Sequence, residues 1–207
     1  MKKAALFLAC ATLGAGPALS QREAPVAEQR AAVAAWATCI ADENTDTARD
    51  LLVRDYRSDG YKLGMKALAQ TRVSQECFDA MPRRYRQMRL GGLPFAGGLA
   101  ERLIEQDAEP LLTRLSMAVI GPEAETFSYT DEVAMCAVRG APDIVARLFA
   151  TEIETPDEQA SFAALAPVVA YCTKGRTPVE ASPLAMRSML ATASFRLLAA
   201  QKDDADA

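Results

Sequence analysis

Four cysteines in two similarly spaced pairs restrict the fold of this 207-residue chain more than any other feature. Cys39 and Cys77 lie 38 positions apart, and Cys136 and Cys172 lie 36 positions apart. A repeat that preserves order and spacing predicts two related structural units, each closed by its own disulfide, Cys39–Cys77 and Cys136–Cys172. Similar side chains recur around the two pairs in the same order: Trp36/Val133, Asp46/Asp143, Ala48/Val145, Leu51-Leu52/Leu148-Phe149 and Val73/Val168.

Zinc binding is the other common use of four cysteines. Structural zinc ligands come in close pairs, often with histidine. Here no two of the four cysteines lie within four residues of each other, and the chain has no histidine. Disulfides persist in oxidising compartments such as the bacterial periplasm. We therefore expect two disulfides, no bound metal and no cofactor.

The N-terminus has the pattern of a bacterial secretory signal. Met1-Lys2-Lys3 is followed by an apolar stretch to Leu13 and by small residues at Ala18 and Ser20, which predicts cleavage after Ser20. A lipid-bearing Cys10 is the alternative interpretation, but only six residues separate it from the lysines. No later apolar run has the length of about 20 residues that a membrane span needs. The sequence predicts a periplasmic or secreted protein without a membrane span.

The charge balance argues against nucleic acid as a partner. The chain has 23 lysine and arginine residues against 27 aspartate and glutamate residues, a net charge of −4. Loss of Lys2 and Lys3 with the signal makes the mature chain more acidic still. Because duplex binding requires a basic face that neutralises phosphates, we expect the partner to be an envelope protein or an envelope ligand instead.

The pattern of apolar residues is helical. Val33, Trp36, Ala37 and Ile40 form one stripe at helical spacing, and Thr155 ahead of a proline is typical of a helix start. Alternating β-branched runs, which favour strands, are nearly absent. The sequence predicts an all-α fold of about six to eight helices, in which two disulfide-closed helical units pack into one body.

Composition and periodicity divide the chain into five parts. We expect the helix that follows residue 59 to run unbroken to Phe78, and the last helices of the two units to begin at Pro94 and Pro183. Pro167 should kink or interrupt the helix that contains it, because proline has no N–H to donate. The parts are the signal 1–20, helical unit 21–104, linker 105–130, helical unit 131–200 and a disordered acidic tail 201–207.

The order Cys39, Leu51-Leu52, Cys77 and Leu99-Ala100-Glu101-Arg102-Leu103 resembles a family of small secreted proteins of sphingomonad-type alphaproteobacteria. These uncharacterised proteins carry one or two copies of a cysteine-bracketed helical unit that ends in an Arg-Gly-x-Leu-Ala-Glu-like segment. The chain departs from that segment where Ala96 replaces its arginine, and where Thr192 replaces its glutamate in the second copy. The resemblance implies export and a helical fold, and it brings no catalytic residue.

One segment suggests anion binding. Arg83, Arg84, Arg86 and Arg89 precede the glycine pair Gly91-Gly92 and an expected helix start. Guanidinium groups and free helix N–H groups together bind anions such as phosphorylated or carboxylated envelope components. The alternative is a solvated loop whose arginines pair with acids of the same chain, and such exposed pairs contribute little stability.

Catalysis has few candidates. Without histidine the chain lacks the usual base for serine and cysteine nucleophiles. The acid pairs Glu152/Glu154 and Asp157/Glu158 are the remaining candidates for a glycan hydrolase, but acids also favour helix starts for structural reasons. We therefore expect a non-enzymatic helical repeat protein that presents a surface to a protein or an envelope ligand. A small envelope hydrolase and anion binding at 83–89 are the alternatives.

Aromatic residues are the last candidates for a binding surface. Trp36 lies in the apolar stripe of the first helix, so we expect it in the core. Tyr56 and Tyr61 flank a predicted turn, where we expect them to be half exposed and available to line a groove.

Overall fold

The computed structural model describes residues 25–205, and all of its regular structure in that range is helical. The predicted all-α fold is therefore confirmed. The described residues form ten α-helices: α1 Val26–Glu43, α2 Thr45–Leu52, α3 Asp59–Ala69, α4 Gln75–Ala80, α5 Gly92–Glu105, α6 Leu111–Ala118, α7 Tyr129–Gly140, α8 Pro142–Phe149, α9 Pro156–Cys172 and α10 Pro183–Ala205, with a 3-10 turn at Arg83–Tyr85.

The helix count exceeds the expected six to eight for two local reasons. The helix expected over residues 59–78 is divided into α3 and α4, and Ser74 caps the second piece by accepting a hydrogen bond from the backbone N–H of Cys77. The predicted linker 105–130 also folds, because α6 buries Leu115 and Ala118 against the core. Helix α5 begins at Gly92, two residues before the expected Pro94, and α9 is not interrupted at Pro167.

Both predicted disulfides are present. Cys39–Cys77 joins α1 to α4, and Cys136–Cys172 joins α7 to the end of α9, with Cα–Cα distances of 5.9 and 5.8 Å. In the chain-entropy account, closing loops of this length restricts the unfolded chain by about 3–4 kcal/mol each. Each disulfide lies within one half of the molecule, where the first half is α1–α5 and the second half is α7–α10.

The two halves repeat one arrangement of helices. In each, a long helix is followed after a single residue, Asn44 or Ala141, by a helix of eight residues. These two junction residues have similar backbone angles, φ −135° with ψ 40° and φ −147° with ψ 59°. Each half then carries its second cysteine and finishes with a helix of the central pair. The arrangement supports the duplication that the cysteine spacing predicts.

Helices α5 and α10 form the centre of the molecule and join the halves. Phe95, Leu99 and Leu190 are fully buried along this pair. The two helices approach closely because α5 has no side chain at Gly97. A Cβ atom there would lie 2.4 Å from the Cβ and 2.5 Å from the Cα of Ser188 on α10. The glycine therefore sets the distance between the halves.

Helix α10 extends into the segment 201–207 that was expected to be a disordered tail, and it ends at Ala205. Gln201 on this helix donates a hydrogen bond to the carbonyl of Pro122 at 3.2 Å. The predicted signal 1–20, Cys10 included, lies outside the described residues. None of the helices within residues 25–205 has both the length and the apolar character needed to cross a membrane.

Candidate functional site

A cavity of about 550 Å³ lies between the two halves. The first half contributes the end of α2, one face of α3 and the start of α5, and the second half contributes the start of α7 and the middle of α10. Sites for small ligands enclose about 300–1,000 Å³, so the cavity has the size of a ligand site. It is lined by Leu52, Arg54, Tyr56, Tyr61, Lys62, Met65, Lys66, Ala69, Gln70, Leu90, Gly91, Gly92, Leu93, Ala96, Ser128, Thr130, Asp131, Met189, Thr192 and Arg196.

The walls of the cavity are mainly apolar. Leu52, Met65 and Ala96 are buried there. Tyr56 and Tyr61 are half-buried, as expected, and both line the cavity. Burial raises the pKa of Tyr61, and the positive charge of nearby Arg196 opposes that shift. The phenol therefore stays neutral at pH 7 and presents a mostly apolar ring.

The charged side chains of the lining are predominantly cationic. The lining contains a single carboxylate, that of Asp131, and four cationic side chains: Arg54, Lys62, Lys66 and Arg196. Arg54 pairs with Asp50 and Lys62 with Asp59, both outside the cavity lining. Lys66 has no ion-pair partner within the described part of the chain. Because Arg54, Lys62 and Lys66 are exposed, the positive charge lies at the mouth.

Arg196 and Asp131 form a buried ion pair in the wall of the cavity. The second carboxylate oxygen of Asp131 accepts a hydrogen bond from the backbone N–H of Phe127 at 2.9 Å. The Arg196 guanidinium lies over the Phe127 ring, 5.3 Å from its centroid. Its Nε has no hydrogen-bond partner. Both carboxylate oxygens of Asp131 therefore have partners, whereas the buried Nε of Arg196 has none.

The mouth of the cavity includes the first residues of α5. Gly91 and Gly92 have φ angles of 156° and 62°, and the value at Gly92 lies in the left-handed region that favours glycine. No side chain caps the N-terminus of α5. Its first backbone N–H groups are thus left for solvent or a ligand, and the helix dipole favours negative charge there.

The four arginines predicted to bind anions do not converge. Arg84 pairs with Glu28 at 3.1 Å. Arg86 donates to the carbonyls of Met81 and Asp79 at 3.1 and 3.0 Å and lies 4.8 Å from the Phe78 ring centroid. Arg83 and Arg89 are exposed. Two of the four arginines thus pair with groups of the same chain, as the alternative interpretation expects, and the C-terminal end of the segment leads directly into the glycines of the cavity mouth.

The acid pairs considered for a hydrolase have structural partners. Glu158 is buried and accepts hydrogen bonds from Arg30 at 2.7 and 3.0 Å and from Arg187 at 3.0 Å. Glu154 also pairs with Arg30, and Glu101 on α5 pairs with Arg187. We call these five residues the inter-half ion cluster, because it links α1 and α5 with α9 and α10. Asp157 and Glu152 are exposed outside it.

The ion cluster keeps Glu158 ionised. Burial by itself raises the pKa of Glu158, but hydrogen bonds from Arg30, from the backbone N–H of Glu154 and from Arg187, with the charge of Arg30, outweigh burial and lower it below its usual value. A general acid requires the opposite shift. The lowered pKa and the buried ion pairs of Glu158 are those of a structural carboxylate.

Two further concave surfaces are weaker candidates. A cavity of about 100 Å³ beside the ion cluster contains Glu101 and Glu105. Burial raises the pKa of Glu105, and the charge of Glu101 adds to that effect, but the volume is well below that of ligand sites, about 300 Å³ or more. A groove of about 540 Å³ between α2, α5, α6 and α10 has a lining of mixed charge, with two arginines and three carboxylates.

Several cavity residues belong to no recognisable motif in the sequence. Lys62 and Lys66 were not predicted as site residues, although their spacing of four places them on one face of α3. Arg196 and Asp131 lie 65 positions apart, so no local pattern relates them. Within the described residues, no group of three or more acidic or cysteine side chains is arranged to hold a metal ion.

Comparisons with known proteins leave the site to be interpreted from its own residues. No protein-family model, curated protein or solved structure matches this chain. The class of protein that the fold and the site define is a disulfide-stabilised helical protein with an apolar, cation-rimmed cavity between two similar halves. Function follows from the chemistry of that cavity, since a fold alone does not determine an activity.

Proposed function

We propose that the protein is an exported, non-enzymatic binding protein that holds a small envelope ligand in the cavity between its halves. The observation that carries this proposal is a cavity of about 550 Å³ whose apolar walls come from both halves. Apolar walls with a few convergent polar groups are typical of small-ligand sites. A ligand that contacts both halves also explains why the binding site requires two units.

The roles of the polar lining residues support binding rather than catalysis. Ser128 caps α7 by accepting a hydrogen bond from the backbone N–H of Asp131 at 3.3 Å. Asp131 is bound to Arg196 and to the Phe127 backbone. Thr192 donates within α10 to the carbonyls of Ser188 and Met189. The hydroxyl groups of Ser128 and Thr192 and the carboxylate of Asp131 therefore already have structural partners.

Export is the second element of the proposal. It is supported by the signal pattern at the N-terminus and by two disulfides, which form in oxidising compartments. Expression of the full chain in a bacterium with its signal intact tests it. We expect a periplasmic or secreted form whose intact mass begins at Gln21, and recovery of only the uncleaved chain with reduced thiols would contradict the proposal.

Binding of a neutral, apolar dye tests the cavity itself. N-phenyl-1-naphthylamine should bind the oxidised mature protein with a saturable rise in fluorescence. Ala69→Trp and Thr192→Trp each place an indole in the cavity and should abolish that signal. Ala67→Trp is the matched control, because Ala67 is exposed on the same helix and does not line the cavity. No dye binding, or equal binding by Ala69→Trp and Ala67→Trp, contradicts the proposal.

A further inference from the structure

We propose that the cavity takes an amphiphilic anion: an alkyl chain lies against the apolar walls, and a carboxylate or phosphate head group lies at the mouth between α3 and the first turn of α5. This inference rests on the proposed function, because it names the ligand class for the same cavity. Fatty acids and phospholipids share this chemistry, and the experiment below separates the two head groups.

The charge of the lining is opposite to that of the chain. The whole chain carries a net charge of −4, whereas four cationic side chains and a single carboxylate line the cavity. That carboxylate, Asp131, is buried and neutralised by Arg196. Three exposed cations remain at the mouth: Lys66, and Arg54 and Lys62, whose pairs with Asp50 and Asp59 are exposed and contribute little. Concave surfaces of one charge sign attract ligands of the other sign.

Helix α3 places apolar side chains inside the cavity and cationic side chains at its mouth. Met65 is buried and Ala69 half-buried, while Lys62 and Lys66 on the same helix are exposed. Lysine side chains can lie along apolar surface and keep their ammonium groups in water. The Lys62–Asp59 pair, at 3.8 Å between exposed groups, is weak competition for a bound anion. An amphiphile fits this order with its tail inward and its head outward.

The start of α5 adds backbone donors to the cationic mouth. The N-terminus of α5 starts at the glycines of the mouth and has no side-chain cap, and free N–H groups at a helix start bind anions. Arg196 also lines the cavity, but its unpartnered Nε is buried. The donors within reach of a head group are therefore those of the α5 N-terminus and of the exposed cations at the mouth.

The same features disfavour the other classes of small ligand. A cationic amphiphile meets the charges of Lys62 and Lys66 at the mouth. A sugar requires many hydrogen-bonding groups in the wall, and those of Ser128, Thr192 and Asp131 are already used within the protein. A neutral apolar molecule fits the walls but makes no use of the cationic mouth. The anionic amphiphile matches both.

Displacement of N-phenyl-1-naphthylamine by ten-carbon probes tests the inference. Decanoate and decyl phosphate carry anionic heads, decanol is neutral, and decyltrimethylammonium is cationic. We expect the anions to displace the dye about tenfold better than decanol, a size consistent with one or two charge contacts at the surface of a protein. That advantage should shrink in 0.5 M salt, where the Debye length is only a few ångströms. The better of the two anions identifies the head group.

Two pairs of variants assign the selectivity to the mouth. Lys62→Gln with Lys66→Gln should remove the preference for anions and leave decanol binding unchanged. Arg72→Gln with Lys174→Gln is the matched control, since it removes two exposed cations outside the cavity. Leu93→Asp adds a carboxylate to the first turn of α5, where acids are compatible with the helix. It should weaken decanoate by about tenfold relative to Leu93→Asn.

The outcomes separate this inference from the proposed function. Dye binding with equal displacement by decanoate and decanol overturns the anionic class and leaves the binding function standing. Stronger displacement by decyltrimethylammonium overturns it in the same way, as does an unchanged preference in the Lys62→Gln, Lys66→Gln variant. If no dye or probe binds at all, the proposed function itself fails.

Discussion

Replacing Gly97 with alanine is a direct test of the packing between the halves. An added Cβ lies 2.4 Å from the Cβ and 2.5 Å from the Cα of Ser188, whereas carbon atoms in contact are about 3.5–4.0 Å apart. Helix α10 must therefore move away from α5 by about 1 Å along a tightly packed surface. Overpacking of this kind costs about 1–3 kcal/mol, and the backbone contact places Gly97→Ala at the upper end.

The higher helix propensity of alanine partly offsets the cost of overpacking. Alanine stabilises an exposed helix by about 1 kcal/mol relative to glycine, so the net destabilisation should be about 2 kcal/mol. With a typical urea slope of about 2 kcal/mol per molar, the unfolding midpoint falls by about 1 M. Circular dichroism at 222 nm during urea titration of the oxidised protein measures this shift. Gly60→Ala is the matched control, because its nearest neighbour, the Arg54 Nη1, lies at 3.7 Å, and it should be neutral or slightly stabilising.

Compensating substitutions sharpen the test. A Cβ at Gly98 contacts only the Cβ of Ala37 within 4 Å, at 2.6 Å. Ala37→Gly should therefore rescue Gly98→Ala. The double variant moves the glycine from α5 to α1. Ser188→Gly should not rescue Gly97→Ala, because the Ser188 Cα remains in the way. A midpoint for Gly97→Ala at or above that of the unaltered protein would refute the account of this interface, and so would rescue by Ser188→Gly.

Two further predictions concern the disulfides and the ion cluster. Replacing Cys136 and Cys172 together with serine should lower the free energy of unfolding by about 3–4 kcal/mol, measured in urea, while the remaining Cys39–Cys77 disulfide stays intact by mass mapping. A loss below about 1 kcal/mol would contradict the loop-closure account. The lowered pKa of Glu158 means that its contribution is complete above the unfolded-state pKa of about 4.3 and is lost as pH falls through the folded-state value. Glu158→Gln should cost about 3 kcal/mol at pH 7, because it leaves two buried arginines with fewer partners, and should flatten the fall of the urea midpoint between pH 5 and 3. An identical acid dependence in both proteins would exclude Glu158 as its source.

The sequence was sufficient for the features that depend on local pattern. Helix α9 begins after Thr155, as predicted, because its hydroxyl accepts a hydrogen bond from the backbone N–H of Glu158. The disulfide pairing followed from the spacing of the cysteines. Trp36 is in the core, as its place in the apolar stripe predicted. Its indole N–H also donates to the carbonyl of Tyr85 at 3.0 Å, which links α1 to the arginine-rich segment.

The features that depend on distant contacts were beyond local reasoning. The carboxylate of Glu158 reaches the backbone N–H of Glu154 and the guanidinium of Arg30, and Arg30 lies 128 positions away. The cavity depends on how α3 and α10 pack relative to each other. The spacing of apolar residues within either helix does not predict that packing. The spacing of Lys62 and Lys66 was visible in the sequence, but an exposed lysine face is ordinary until a cavity is known to adjoin it.

Each disulfide is internal to one half, so within residues 25–205 the chain itself is the one covalent link across the boundary at which the cavity lies. Reducing agents would loosen each half from within, whereas the relative pose of the halves depends on the fit of α5 against α10 and on the ion cluster. Substitutions at Gly97 or Glu158 can therefore shift one wall of the cavity against the other without altering a lining residue. Related chains could therefore evolve different ligand preferences through substitutions at this boundary, with the cavity lining and the scaffold unchanged.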